Sequence, residues 1–161
     1  MKIALIGPAY PYRGGIAQTT DNLALALRST HEVRVITFRR QYPALLFPGA
    51  SETSFSAGRE ALAGERLIDS LDPRSWLSTA REVANWQPDV VLLMWWHPFF
   101  GPALGTLARR IKRLCAARVG FLCHNAQPHE GLPGAAHLTR FALAAGDFHV
   151  VLSETVEQQL T

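Results

Sequence analysis

The stretch Lys2-Ile-Ala-Leu-Ile-Gly-Pro-Ala-Tyr-Pro-Tyr-Arg-Gly-Gly-Ile-Ala-Gln-Thr-Thr20 decides how this chain is read. It opens on a short apolar run, Ile3 to Ile6, too brief for a helix and stopped by Gly7-Pro8, the mark of a buried strand. A tight loop follows, stiffened by Pro8 and Pro11 and closed by Gly14-Gly15. Ile16, Thr20, Leu23 and Leu27 then recur at helical spacing, which predicts a helix with Gln18, Asp21, Asn22 and Arg28 on its polar side. A strand that feeds a glycine pair at a helix start lets backbone amides approach an anion, because glycine has no Cβ to block it. A plain turn is the commoner role of such a pair. The loop has neither the Gly-Lys-Ser/Thr ending of a phosphate-binding P-loop nor the Gly-x-Gly-x-x-Gly pattern of a dinucleotide site.

The 161 residues are enough for one domain with a substantial core. With 48% hydrophobic and 18% charged residues the composition is that of a globular protein and not a disordered one. A net charge of +3 is too small to argue for nucleic acid without a concentrated patch. Cys115 and Cys123 have neither metal nor redox spacing, so reduced thiols in a cytoplasmic setting are expected. The first apolar run is shorter than the core of a secretory signal, and no segment approaches the ~20 apolar residues that span a bilayer. Membrane contact is therefore expected to be peripheral at most.

Beyond the first helix, Glu32 to Phe38 reads as a second strand through Val33, Val35 and Ile36. Residues 39 to 65 lose all periodicity, and a loop of that length in a compact domain is usually functional or mobile. Arg66 to Ser70 is expected as a short edge strand. Asp72 before Pro73 signals a helix start, with Trp76, Leu77, Ala80, Val83 and Ala84 as its buried stripe. Val90 to Met94 is continuously apolar, as a central parallel strand covered on both faces must be. Another helix buries Leu104, Leu107, Ala108 and Ile111 and turns Arg109, Arg110, Lys112 and Arg113 outward. Val119 to Cys123, a helix from about Ala135 to Ala145, the strand Phe148 to Leu152 and the start of a helix at Ser153 complete the chain. Strands alternate with helices and hairpin signals are missing, which predicts an α/β fold with a Rossmann-like open parallel sheet and helices on both faces. Ligands of such sheets bind beyond the carboxyl ends of the strands, where this sequence places Gly14-Gly15, His97, His124 and Ser153-Glu154.

His97, His124, His129 and His137 invite a metal reading, but none stands at i, i+4 on a helix, and Pro133 sits where a partner of His129 would be. No metal is expected. A Ser-His-acid triad is excluded by the missing Gly-x-Ser-x-Gly elbow. His124 directly follows an apolar strand, which suits a general acid/base or a polar contact to a sugar; a strand-end histidine bonded to nearby backbone fits its position equally well. His97, beside Pro98 and two phenylalanines, reads as packed. Glu130 is placed to orient His124 or His129, although capping a loop is the commoner role. The Arg109–Arg113 face suits acidic lipid headgroups, and more simply a solvated surface. Of Trp95, Trp96, Phe99 and Phe100, half must be core by strand alternation, leaving the rest to stack on a sugar or an isoprenoid.

Assembled, these motifs resemble the N-terminal half of a GT-B glycosyltransferase of the family-four retaining type. The resemblance rests on Gly7-Pro-x-x-Pro-x-Arg-Gly-Gly-Ile-Ala, Trp96-His-Pro-Phe-Phe-x-Pro-Ala, Cys123-His-Asn-x-x-Pro-His-Glu and Val150-Val-Leu-Ser-Glu, in that order. It implies two Rossmann-like domains facing across a cleft, residues 1–161 forming the acceptor-side one and a C-terminal domain gripping most of the nucleotide-sugar. The sequence stops where that second domain is expected, so the chain alone is expected to be inactive. By resemblance Gly14 and Gly15 approach the donor diphosphate, and His124 lies beside the transferring sugar as the catalytic residue. Arg13, His97, Asn125, Glu130, Ser153 and Glu154 serve the acceptor. The implied reaction moves a hexose from a nucleotide-diphosphate sugar to a hydroxyl of a cell-envelope or polysaccharide precursor, with retention and without metal or other cofactor. The expected partners are the nucleotide-sugar donor, a sugar or lipid-linked acceptor and the inner membrane surface; nucleic acid is not among them. A free-standing, non-catalytic sugar- or lipid-binding domain is the alternative, and an ordinary dinucleotide-binding domain a weaker third.

Overall fold

Short apolar runs bounded by glycine and proline form strands here, and the amphipathic stretches between them form helices. A computed structural model of the protein describes residues 1–43, 63–124 and 134–152. In chain order the elements are β1 (Lys2–Ile6), α1 (Gly15–Arg28), β2 (Glu32–Arg40), β3 (Glu65–Asp69), α2 (Pro73–Asn85), β4 (Val90–Trp95), α3 (Gly101–Leu114), β5 (Arg118–Cys123), α4 (Ala135–Leu143) and β6 (Phe148–Val151). A single 3-10 turn, Pro98–Phe100, links β4 to α3. The expected helix at Ser153 lies outside the described residues.

The strands form one sheet in the order β3-β2-β1-β4-β5-β6, with every described pairing parallel. Parallel neighbours must be joined by right-handed crossovers. From β1 the chain steps towards β2, whereas from β3 it returns over the sheet to β4 and continues outward to β5 and β6. These opposite directions set α1 on one face and α2, α3 and α4 on the other. Consistent with this, α2 packs on α3 and α3 on α4. The register places Ala4 beside Val91 and Val91 beside Val119, and Ile6 beside Leu93 and Leu93 beside Phe121. All six side chains are fully buried, a continuous floor to the core across three strands.

The helices follow their sequence signals closely. Asp72 caps α2 by accepting the Arg74 N–H at 3.0 Å, with Pro73 in the first turn. Leu104, Leu107, Ala108 and Ile111 of α3 are fully buried.

Three expectations are corrected. Leu77 of α2 is exposed; Ser75 and Thr79 take the buried positions instead. β2 runs on through Arg39 and Arg40, because Arg40 meets the Asp69 carboxylate at the end of β3 at 2.8 Å and the charged pair is satisfied there. Asp21, expected on the polar side of α1, is only 4% exposed. The buried face of α1 is Ala17, Thr20, Asp21 and Ala24, with Ile16, Leu23 and Leu27 at its margin.

Where β1 ends, the chain passes hard against β4. A Cβ on Gly7 would stand 2.5 Å from Met94 Cγ and 2.7 Å from Met94 Cβ, so only glycine fits without moving one strand. Gly7→Ala should therefore destabilise the domain by roughly 1–3 kcal/mol in urea unfolding. Combined with Met94→Ala the loss should be smaller than the sum of the two single losses, since the clash is shared.

Candidate functional site

The crevice of an open parallel sheet lies where successive crossovers diverge, here at the carboxyl ends of β1 and β4. Three strand ends build it. From β1 comes the loop Gly7–Gly14, from β4 the turn that carries His97, and from β5 His124.

The loop has two halves. Ala9, Tyr10 and Tyr12 are buried, and Arg13, Gly14 and Gly15 are exposed. The buried half is pinned bond by bond. Gly7 N–H donates to Ile36 O at 3.0 Å, and Tyr12 N–H to Ala9 O at 2.9 Å. Ala9 N–H donates to Thr37 Oγ1 at 3.2 Å, and Tyr10 N–H to Asp21 Oδ1 at 3.1 Å. Gly64 N–H completes the set by donating to Tyr10 O at 3.3 Å. The Tyr10–Pro11 peptide is cis.

At the exposed tip, Gly14 holds φ 113° and ψ 168°, a conformation that residues with a Cβ rarely adopt. Its carbonyl accepts the Gln18 N–H at 3.0 Å and so begins α1. Among the described residues no side chain caps α1 and a Cβ on Gly14 or Gly15 would meet nothing within 4 Å, and the first turn of α1 carries no acidic residue. Packing within the described structure therefore does not explain a glycine at 15. The uncapped N–H groups at a helix start carry a partial positive charge that suits an anion.

His97 extends from the end of β4 and is half-buried. Its Nδ1 accepts the Phe99 N–H at 3.1 Å and caps the 3-10 turn, which fixes the proton of the neutral ring on Nε2. His97 therefore has a structural role as the cap of this turn, on a ring that is half-buried and not fully packed. His124 follows β5, its backbone N–H donating to Trp95 O at 2.9 Å and so locking it beside the end of β4. Its side chain is half-buried, and Nε2 is buried without a hydrogen-bond partner among the described residues. Burial pushes its pKa below the ordinary 6.5, so the ring is neutral at pH 7. Next to it the Cys123 thiol is pushed up to about 12 by burial, which makes it inert as a nucleophile.

The aromatic residues divide. Trp95 points into the core against Phe121, with ring centroids 6.5 Å apart. Trp96 and Phe100 are also buried, packed together at 4.2 Å and against Phe38. Phe99 is partly open and stacks with Tyr42 at 5.9 Å, while the Trp96 indole N–H donates to the Tyr42 hydroxyl at 3.2 Å. The sequence reading missed Tyr42, which follows β2 without periodicity. It also missed Asp21; the signal was small Ala17 and Ala24 sharing its helical face.

The structure thus brings Gly14-Gly15, His97 and His124 to one edge of the sheet, with Arg13 on the exposed tip of the same loop. Asn125, Glu130, Ser153 and Glu154 lie outside the described residues.

A family model described as "Glycosyl transferase 4-like domain" matches residues 14–161. No curated protein matches the sequence. Among solved structures, an alpha-glucosyltransferase in complex with UDP and a 13-mer DNA containing a central A:G mismatch is similar at 14% identity and a TM-score of 0.56, over 100% of this chain and 39% of that one. An alpha-glucosyltransferase with UDP and a 13-mer DNA containing a HMU base gives 12% identity and 0.55, over 97% and 38%. The catalytic domain of Starch Synthase IV from Arabidopsis thaliana bound to ADP and acarbose gives 19% identity and 0.43, over 78% and 34%. This chain spans about two-fifths of the first two, and the likeness is one of fold.

Replacing His97 by Ala removes the acceptor for Phe99 N–H and should cost about 1 kcal/mol in urea unfolding at pH 7.5, whereas His124→Ala should leave stability there nearly unchanged. Because burial lowers the folded-state pKa of His124, the unfolded chain takes up this proton first as pH falls. The contribution is complete above about pH 6.5 and is lost progressively below it. Wild type should therefore lose stability relative to His124→Ala between pH 7.5 and pH 5.5, measured as the difference in their unfolding free energies.

Proposed function

The chain belongs to the glycosyl transferase 4-like domain family, and we propose that it is the acceptor-side half of a GT-B enzyme that moves a hexose from a nucleotide-diphosphate sugar to a hydroxyl. The observation that carries this reading is the uncapped start of α1 behind Gly14, open at the divergence of the crossovers. In the reaction the bond between the sugar C1 and the diphosphate oxygen breaks, and its electron pair leaves with the diphosphate. The acceptor oxygen bonds to C1, and its proton passes to the leaving diphosphate oxygen. Charge accumulates on the leaving diphosphate, where the N–H groups of Gly15 and the following turn stabilise it more than in the ground state. Neutral His124 offers a hydrogen bond to the sugar beside the breaking bond. Arg13, His97, Asn125, Glu130, Ser153 and Glu154 form the acceptor side. A second domain completes the grip on the nucleotide, the product retains the anomeric configuration, and no metal is required.

The acceptor in this reading is a sugar or lipid-linked precursor of a cell-envelope polysaccharide, met at the cytoplasmic face of the membrane. Support comes from α3, which carries Arg109, Arg110, Lys112 and Arg113 with no acidic residue within the helix, and from the exposed Leu114 and Phe141 nearby. Arg109 and Lys112 are partly engaged within the fold, Arg109 over the Phe141 ring and Lys112 on Asp147, so the contact is a light one. No described helix is long and apolar enough to cross a membrane. The DNA bound by the similar alpha-glucosyltransferases belongs to those proteins; a net charge of +3 gives no comparable argument here.

In the complete enzyme, His124→Ala should lower turnover roughly a hundredfold or more, with the melting temperature nearly unchanged. Residues 1–161 alone should bind UDP- and GDP-sugars only weakly by calorimetry, since one glycine loop supplies part of a diphosphate site. Micromolar affinity of this piece for any of them, or an unimpaired His124→Ala enzyme, would contradict the reading.

A further inference from the structure

A carboxylate inside the buried face of a helix, between Ala17 and Ala24, requires a reason, because burying it without partners is costly. Asp21 accepts the N–H of Tyr10, eleven positions earlier, and Thr37 accepts the N–H of Ala9. Two consecutive amides of the β1 loop are therefore held by side chains from two different elements, α1 and β2. Neither bond belongs to the sheet or to a helix. The same loop ends at Gly14, whose carbonyl accepts the Gln18 N–H and starts α1. Asp21 thus ties the beginning of the loop to the helix that its end initiates, and Thr37 ties both to the sheet.

We propose that Asp21 and Thr37 are positioning residues for the donor diphosphate, fixing the angle at which Gly14, Gly15 and the first turn of α1 face the crevice. The inference rests on the donor role of that loop given above. Both side chains are buried, so they act through the backbone and not by touching the nucleotide. At both positions the bond to the loop amide needs an oxygen that accepts a hydrogen bond. At Thr37 the side-chain methyl sits close to Gly64, where a Cβ would lie 3.1 Å from Cγ2, so the hydroxyl can be removed while the packing against Gly64 is kept.

The test is steady-state kinetics of the complete enzyme, with the UDP- or GDP-sugar that the wild type turns over. Thr37→Val should raise the KM for the donor roughly ten- to a hundredfold, the effect of a small misplacement at a binding group. The KM for the acceptor should stay within about twofold. Thr37→Ser should restore most of the loss. Asp21→Ala, which removes the acceptor of the Tyr10 N–H, should resemble Thr37→Val, and Asp21→Asn, which keeps an accepting oxygen, should be less impaired than Asp21→Ala. If Asp21→Ala does not fold, the Thr37 pair carries the test. Hydrogen exchange at Ala9, Tyr10 and Gln18, whose N–H groups are bonded in the wild type, should be faster in Thr37→Val than in Thr37→Ser. An unchanged donor KM in Thr37→Val, equal rises in both KM values, or no rescue by Thr37→Ser would overturn the proposal alone. A folded wild type that binds no nucleotide-sugar would overturn the functional reading, and the proposal with it.

Discussion

A parallel strand buried on both edges leaves the sheet only by a crossover, and the hand of crossovers is fixed by the twist of the backbone. In this domain β1 is that strand, lying between β2 and β4 with Ala4, Leu5 and Ile6 fully buried. The chain leaves β1 in one direction along the sheet and leaves β4 in the other. The resulting gap at the strand ends is a consequence of connectivity, whatever side chains fill it. The contact of Gly7 with Met94 keeps the two strands close enough for the loops beyond them to share one crevice.

The loop after β1 then resolves two opposing demands. A site for an anion needs free N–H groups, yet free N–H groups in a buried loop are costly. The division found here satisfies both. Amides of the buried half are consumed by Ile36, Thr37 and Asp21, while those at the start of α1 have no side-chain cap among the described residues. His124 follows the same logic one strand further on. Its backbone is fixed to Trp95, and its ring is kept neutral by burial.

Much of this was legible in the sequence because the physical signals were local. The run Val90 to Met94 has no polar position, so it had to be central, and it is. Asp72-Pro73 starts α2 because an accepting side chain and a missing N–H both fit a helix start. What was not legible depended on partners distant in the chain. Arg39 and Arg40 look like loop residues until Asp69 arrives to pair with Arg40 and let β2 continue. Asp21 counts as polar in any periodicity reading, and its inward position makes sense once it accepts the distant Tyr10 amide. Tyr42 gains meaning through Trp96, Phe99 and Phe100, all distant in the chain. Leu77 lies at the border of the α2 stripe, where periodicity alone does not decide between Leu77 and Thr79.

The central claim is that the start of α1, presented by the loop after β1, faces the diphosphate of a bound nucleotide. Amide chemical-shift mapping of the complete, isotopically labelled protein titrated with UDP and GDP tests it most directly. The account predicts saturable shifts concentrated at Gly14, Gly15, Ile16 and Ala17 with either nucleotide that binds. Binding that leaves these amides unmoved, with its largest shifts at the opposite end of the domain around Arg113 and Ala144, would contradict it.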